Sequence, residues 1–203
     1  MEHFKSSPHN NFEEIYELMA IGFGKLGSFK HCIKYYKMAM QTATDAYPHL
    51  CQRLAGYKRR IASAYLHQEN LNEAKKYLDE ALTMFQTINT SDDTLHYVLV
   101  CCHADFGKFF YKKREISAAV HHLEKALQYD IIKFGSDFEH RDTAYRAYHL
   151  LAKIREEELN FLAAKELLTA GMKILPEKTR HSDSRIASDN QLLESWKKKC
   201  AGQ

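Results

Sequence analysis

Three short stretches carry residue types that could do chemistry. Cys101, Cys102 and His103 are consecutive, so are His121 and His122, and the glycine-rich run GFGKLG occupies positions 22–27. A metal site or a nucleophile with its base needs side chains that converge on one point. Neighbours on a helix point about 100° apart, so neither the Cys-Cys-His run nor the His pair can converge on an ion. Both read as packing residues. A phosphate-binding loop requires a preceding strand, which positions 22–27 lack, and Gly27 reads instead as the residue that relaxes a helix-to-helix turn. With no nucleophile elbow or paired metal motif elsewhere, the expectation is a protein that is not an enzyme and uses no cofactor or metal.

The elements around these residues follow from composition. The chain has 203 residues, 45% of them hydrophobic, enough to bury a core. Its 29 Lys and Arg against 26 Asp and Glu leave a net charge of +3, so binding nucleic acid would demand local clustering and is not favoured. Five cysteines at 32, 51, 101, 102 and 200 lack framework spacing, and no apolar segment resembles a signal peptide or membrane span, which points to a reducing cytoplasmic setting. The NTS triplet at 89–91 reads as a polar turn. Only 8 Gly and 3 Pro interrupt the chain, and apolar residues recur three and four apart, as at Leu71, Ala74, Leu78, Ala81 and Leu82. The fold class expected is all-α.

One helix outline is written four times: FKHCIKYYKMAM at 29, LNEAKKYLDEAL at 71, ISAAVHHLEKAL at 116 and FLAAKELLTAGM at 161. Aligning the small residues Cys32, Ala74, Ala119 and Ala164 gives periods of 42, 45 and 45 residues. Seven residues on stand Ala39, Ala81, Ala126 and Gly171, with Tyr36, Leu78, Leu123 and Leu168 between. Upstream, Ala20, Ala62, Gly107 and Ala152 form a further small column, preceded by Met19, Ile61, Phe106 and Leu151. Small residues beside bulky ones let helices approach and interlock, and a period of this length indicates stacked helical hairpins.

These columns, over about residues 12 to 178, resemble the tetratricopeptide repeat family. The family usually ends its second helix with Pro, and here only the last repeat does, at Pro176. Without the ring the second helix can run on, which accounts for the length of the repeats. In this the chain is similar to long-repeat members such as kinesin light chains and bacterial peptide-sensing regulators. The resemblance implies a right-handed superhelix, an α-solenoid, of four hairpins at about 12–45, 50–90, 94–134 and 138–178. A capping helix at about 183–200 places Ile186, Leu193 and Trp196 at helical spacing, and the whole reads as one domain.

In that family the first helix of each hairpin lines a concave groove. Carried onto this register, the groove contains Arg59, Ser63, His67, Lys108, Tyr111, Lys112, Arg146, His149 and Lys153. Its middle is basic and suits an acidic peptide or a C-terminal carboxylate, with Tyr111 as an aromatic anchor. Glu156 and Glu157 stand where they can neutralise part of it. The expected function is a non-catalytic interaction module, a scaffold or adaptor that binds a peptide segment of a partner protein. The alternative is a regulator whose conformation changes when a peptide binds. A second copy could also stack on the uncapped first hairpin.

Overall fold

The computed structural model describes residues 8–46, 51–87, 93–134, 142–175 and 184–201. Among them are nine helices and no strand: α1 (Pro8–Lys25), α2 (Phe29–Ala46), α3 (Cys51–His67), α4 (Leu71–Thr87), α5 (Asp93–Lys112), α6 (Ile116–Phe134), α7 (Asp142–Glu157), α8 (Phe161–Lys173) and α9 (Ser184–Ala201). The all-α expectation holds. The first helix starts at Pro8, ahead of the expected boundary near residue 12, because proline suits a helix first turn, where its missing N–H is not needed. The polar turn expected at 89–91 and Pro176, expected to end the last repeat, lie outside the described residues. Contacts gather into two compact units, Met1–Leu95 and His96–Gln203.

In the first unit α1 packs on α2, α2 on α3 and α3 on α4; in the second α6 packs on α7, α7 on α8 and α8 on α9. The seams are the aligned columns. Cys32, Ala74, Ala119 and Ala164 are buried, as are Ala39, Ala81, Ala126 and Gly171, and so are the bulky Tyr36, Leu78, Leu123 and Leu168 between them. The upstream column of Ala20, Ala62, Gly107 and Ala152 is buried too. Small residues at these sites bring helix backbones close enough for the intervening side chain to fill the gap opposite, which is why no large residue replaces them in any copy. At the end of the chain Trp196 is buried against the Ala152, Phe161, Ala164 and Leu168 cluster, and its indole N–H donates to Glu156 Oε1 at 2.8 Å.

Each hairpin turn is closed in one way. Gly27, Glu69, Arg114 and Leu159, one per repeat, all take a left-handed conformation, with φ of 73°, 61°, 62° and 61°. The next amide donates five residues back, from Ser28 to Phe23 O, Asn70 to Tyr65 O, Glu115 to Phe110 O and Asn160 to Arg155 O, so the last carbonyls of each first helix are satisfied. Asn70 and Asn160 then cap the following helix, accepting from the amides of Glu73 and Ala163. Only the first copy uses glycine, the residue without a steric penalty there. Leu159 is 70% exposed, so its side chain contributes little to offset that penalty. Leu159→Gly is expected to raise the stability of the second unit by about 0.5–1 kcal/mol, read as a higher urea midpoint with an unchanged slope.

Candidate functional site

The nine residues expected in the groove divide between the units. Arg59, Ser63 and His67 lie on α3 in the first unit, and the other six on α5 and α7 in the second. Arg59 and Ser63 are half-buried, and each is engaged by a neighbour. The exposed His67 ring stacks on Phe29 with centroids 4.5 Å apart. Beside them α1 and α3 are joined by a polar bridge in which the buried Glu13 accepts from Tyr57 Oη at 2.8 Å and from Arg53 Nε at 3.0 Å. A second basic surface in this unit runs along α2, where Lys30, Lys34, Lys37, Ile33, Met38 and Gln41 border an open depression of about 490 Å³.

The second unit brings its six residues together. Cys101 and Thr143 join the start of the α5 and α7 faces at 3.5 Å, and Lys153 of α7 lies over the Tyr111 ring of α5, 5.4 Å from its centroid. Tyr111 donates its hydroxyl to Glu157, which also pairs with Arg114 at 3.3 Å. The tyrosine expected as an aromatic anchor therefore has two cations near its ring, Lys153 and, 5.9 Å from the centroid, Arg114, and its hydroxyl already bonded. Lys108 is half-buried, and burial pushes its ammonium below the ordinary lysine value; Asp105 acts against this, while Lys112 and Arg146 push it further down. Lys112 of α5 and Arg146 of α7 thus both disfavour the charge on Lys108, and Asp105 favours it.

Arg146 and His149 continue into a pocket of about 470 Å³ between α7 and α9, lined also by Tyr145, Arg185, Ser188 and Asp189. Asp142 holds both guanidinium groups, Arg146 at 2.7 Å and Arg185 at 2.9 Å, which fixes them along one rim. Asp189 is 2% exposed and is satisfied from two sides: Tyr145 Oη donates at 2.5 Å and His149 Nε2 lies at 3.2 Å. The contribution of α9 was missed by sequence reasoning, which gave that helix only a capping role. A signal existed, since the Tyr145 to Asp189 separation is 44 residues, as is that of Glu13 and Tyr57, both close to the repeat periods of 42 and 45.

Sequence reasoning also treated His103 and His122 separately, and the structure joins them. Their Nδ1 atoms are 3.0 Å apart, with His103 stacked on Tyr129 and His122 on Phe106 and Phe110. Burial first, and then the neighbouring charges of His122, Lys125 and His121, push His103 down to about 4. Burial, with His121 and Lys125, does the same to His122, also to about 4. Both rings are neutral near pH 7, one donating and the other accepting. Among the described residues no group of three or more His, Cys, Asp or Glu is arranged to hold a metal, and no helix is long and apolar enough to cross a membrane.

The crystal structure of BtubC (BKLC) from P. vanneervenii matches this chain with a TM-score of 0.71 at 15% sequence identity, covering 93% of this chain and 72% of that one. The chain has an all-α helical-repeat fold. No protein-family model and no curated protein matches it. At that identity the likeness carries the architecture alone.

Proposed function

We propose that the chain is a tetratricopeptide-like protein-interaction module, without chemistry of its own, that holds an acidic segment of a partner protein in the cytoplasm. The segment lies against α5, α7 and the adjoining α7–α9 pocket of the second unit. The observation that carries this reading is that Lys112 of α5 and Arg146 of α7 both bear on the charge of half-buried Lys108, with Asp105 as its nearby counter-charge, so that a carboxylate-bearing ligand would add to the compensation Asp105 begins. Arg146 is held by Asp142 at the mouth of the pocket, so a bound acidic side chain meets a preorganised guanidinium and pays little to order it.

The experiment is selection of peptides from a random library, followed by anisotropy titration of the winners. Acidic sequences are expected, and the double change Lys112→Glu with Arg146→Glu should weaken them at least about tenfold, the loss of one charge-assisted contact or more. Lys75→Glu, on the exposed side of α4, should leave affinity unchanged. Selection of basic or purely apolar peptides, or of acidic peptides indifferent to the double change, contradicts the proposal.

A further inference from the structure

The repeat is interrupted on one face of α1. Phe12, Ile15, Leu18 and Met19 are 55%, 47%, 68% and 37% exposed, and Leu26, just past the helix end, is 81% exposed. In the register of 42 and 45 residues, Ile15 and Met19 correspond to Tyr57 and Ile61 on α3 and to Ala147 and Leu151 on α7. Those four are between 0% and 3% exposed. They are covered by the second helix of the preceding hairpin: Tyr36, Ala39 and Ala43 belong to the cluster of Tyr57 and Ile61, and Ala119, Leu123 and Leu127 to that of Ala147 and Leu151. The face of α1 is therefore a copy of an interface that the chain fills elsewhere with a helix. A contiguous apolar stripe of this length on a surface helix marks an interaction site.

We propose that the helix covering it is α1 of a second copy of the chain, packed antiparallel about Met19 in a two-fold dimer. The residues of α1 are self-complementary under that operation. Phe12 comes opposite Leu26 of the other copy, and Ile15 comes opposite Phe23, beside the exposed Gly22, which has no side chain to obstruct the approach. Glu14 and Lys25 are both exposed, lie on the same flank of the stripe and stand at nearly equal distances on either side of Met19, so each Glu14 meets the partner's Lys25. The contact runs for about 21 Å of helix and closes on itself, as isologous pairing does. Head-to-tail stacking is disfavoured by the exposed residues of α9, which include Asn190, Gln191, Glu194, Lys197 and Lys198 and have no apolar stripe to offer.

Sedimentation equilibrium of the full chain over a concentration series tests this. A monomer–dimer equilibrium is expected, and Leu18→Asp should raise its dissociation constant at least about tenfold without altering far-UV circular dichroism, since Leu18 is exposed in the monomer. Glu14→Lys and Lys25→Glu should each weaken the dimer, and the two together in one chain should restore it, which only the antiparallel register permits. A monomer throughout the series, a dimer insensitive to Leu18→Asp, a double exchange as weak as its parents, or a helix of a different protein seated on α1 while the chain alone stays monomeric would each overturn the proposal.

Discussion

Gly107→Val is expected to cost the second unit about 3 kcal/mol or more, and Gly107→Ala about 1–2 kcal/mol. A Cβ built on Gly107 lies 2.5 Å from Leu123 Cγ and 2.6 Å from Leu123 Cδ2, with the Ala119 carbonyl oxygen at 3.4 Å. Leu123 is itself 1% exposed and enclosed by the cluster of Ala119, Leu127, Ala147 and Leu151, so it has no free space into which to retreat. Either α5 moves away from α6, opening the seam, or Leu123 leaves its rotamer. Alanine regains roughly 1 kcal/mol of helix propensity and still loses; valine adds a second branch to the clash and regains less. The control is Gly56→Ala on α3, where an added Cβ meets nothing within 4 Å. That change should stabilise the first unit by about 0.5–1 kcal/mol. Urea unfolding of the three variants should give midpoints that move in opposite directions for chemically identical Gly→Ala substitutions.

Acid should weaken the second unit through the His103–His122 pair before carboxylate titration alone would do so. Each ring titrates near 6.5 when unfolded and near 4 when folded. Below about pH 6.5 the unfolded chain binds protons that the folded one refuses, so stability falls as pH drops from 6.5 to 4 and is fully present above 6.5. The loss across that window is on the order of 3 kcal/mol from the buried His103, with a smaller share from His122, whose half-exposed ring is screened by solvent. Replacing both rings at once, His103→Phe with His122→Phe, removes the titration and leaves no buried nitrogen unpartnered, since the two are bonded to each other. The aromatic stack with Phe106, Phe110 and Tyr129 can be kept by phenylalanine. Stability plotted against pH should therefore be flatter for the double variant between 4 and 6.5 and coincide in slope with the parent above 7. Equal slopes at acid pH would show that the pair is not the titrating unit.

The hairpin seams were legible because the constraint recurs at one residue per repeat. A column that reads Cys32, Ala74, Ala119, Ala164 states a backbone approach directly, and the burial of each member follows. The left-handed turn position was only partly legible. Gly27 announces it, but Glu69, Arg114 and Leu159 carry no local sign, and their conformation follows from the position they hold in the repeat rather than from their identity. Pairings between helices were not legible at all from spacing along one helix. His103 and His122 are 19 residues apart on α5 and α6, so the divergence of adjacent histidines along one helix does not bear on the contact that forms between two. The candidate face shows the same division. The basic character of Lys108, Lys112 and Arg146 follows from the register, whereas the carboxylates that position Arg146 and His149 are Asp142, one turn before Arg146, and Asp189, on α9. Glu157 was expected to neutralise lysines and instead binds Tyr111 and Arg114, because the tyrosine hydroxyl and the turn arginine reach it.

Binding of an acidic protein segment in the α7–α9 pocket is read out by a photo-crosslinking amino acid at the exposed Ser188, which lines the pocket, and in a separate protein at Met38 on α2, beside the other basic depression. After irradiation in lysate, the adduct from position 188 is expected to map to one acidic stretch of a single partner and to disappear with Lys112→Glu and Arg146→Glu. Adducts formed only from position 38, or an adduct from position 188 with nucleic acid in place of protein, would contradict it.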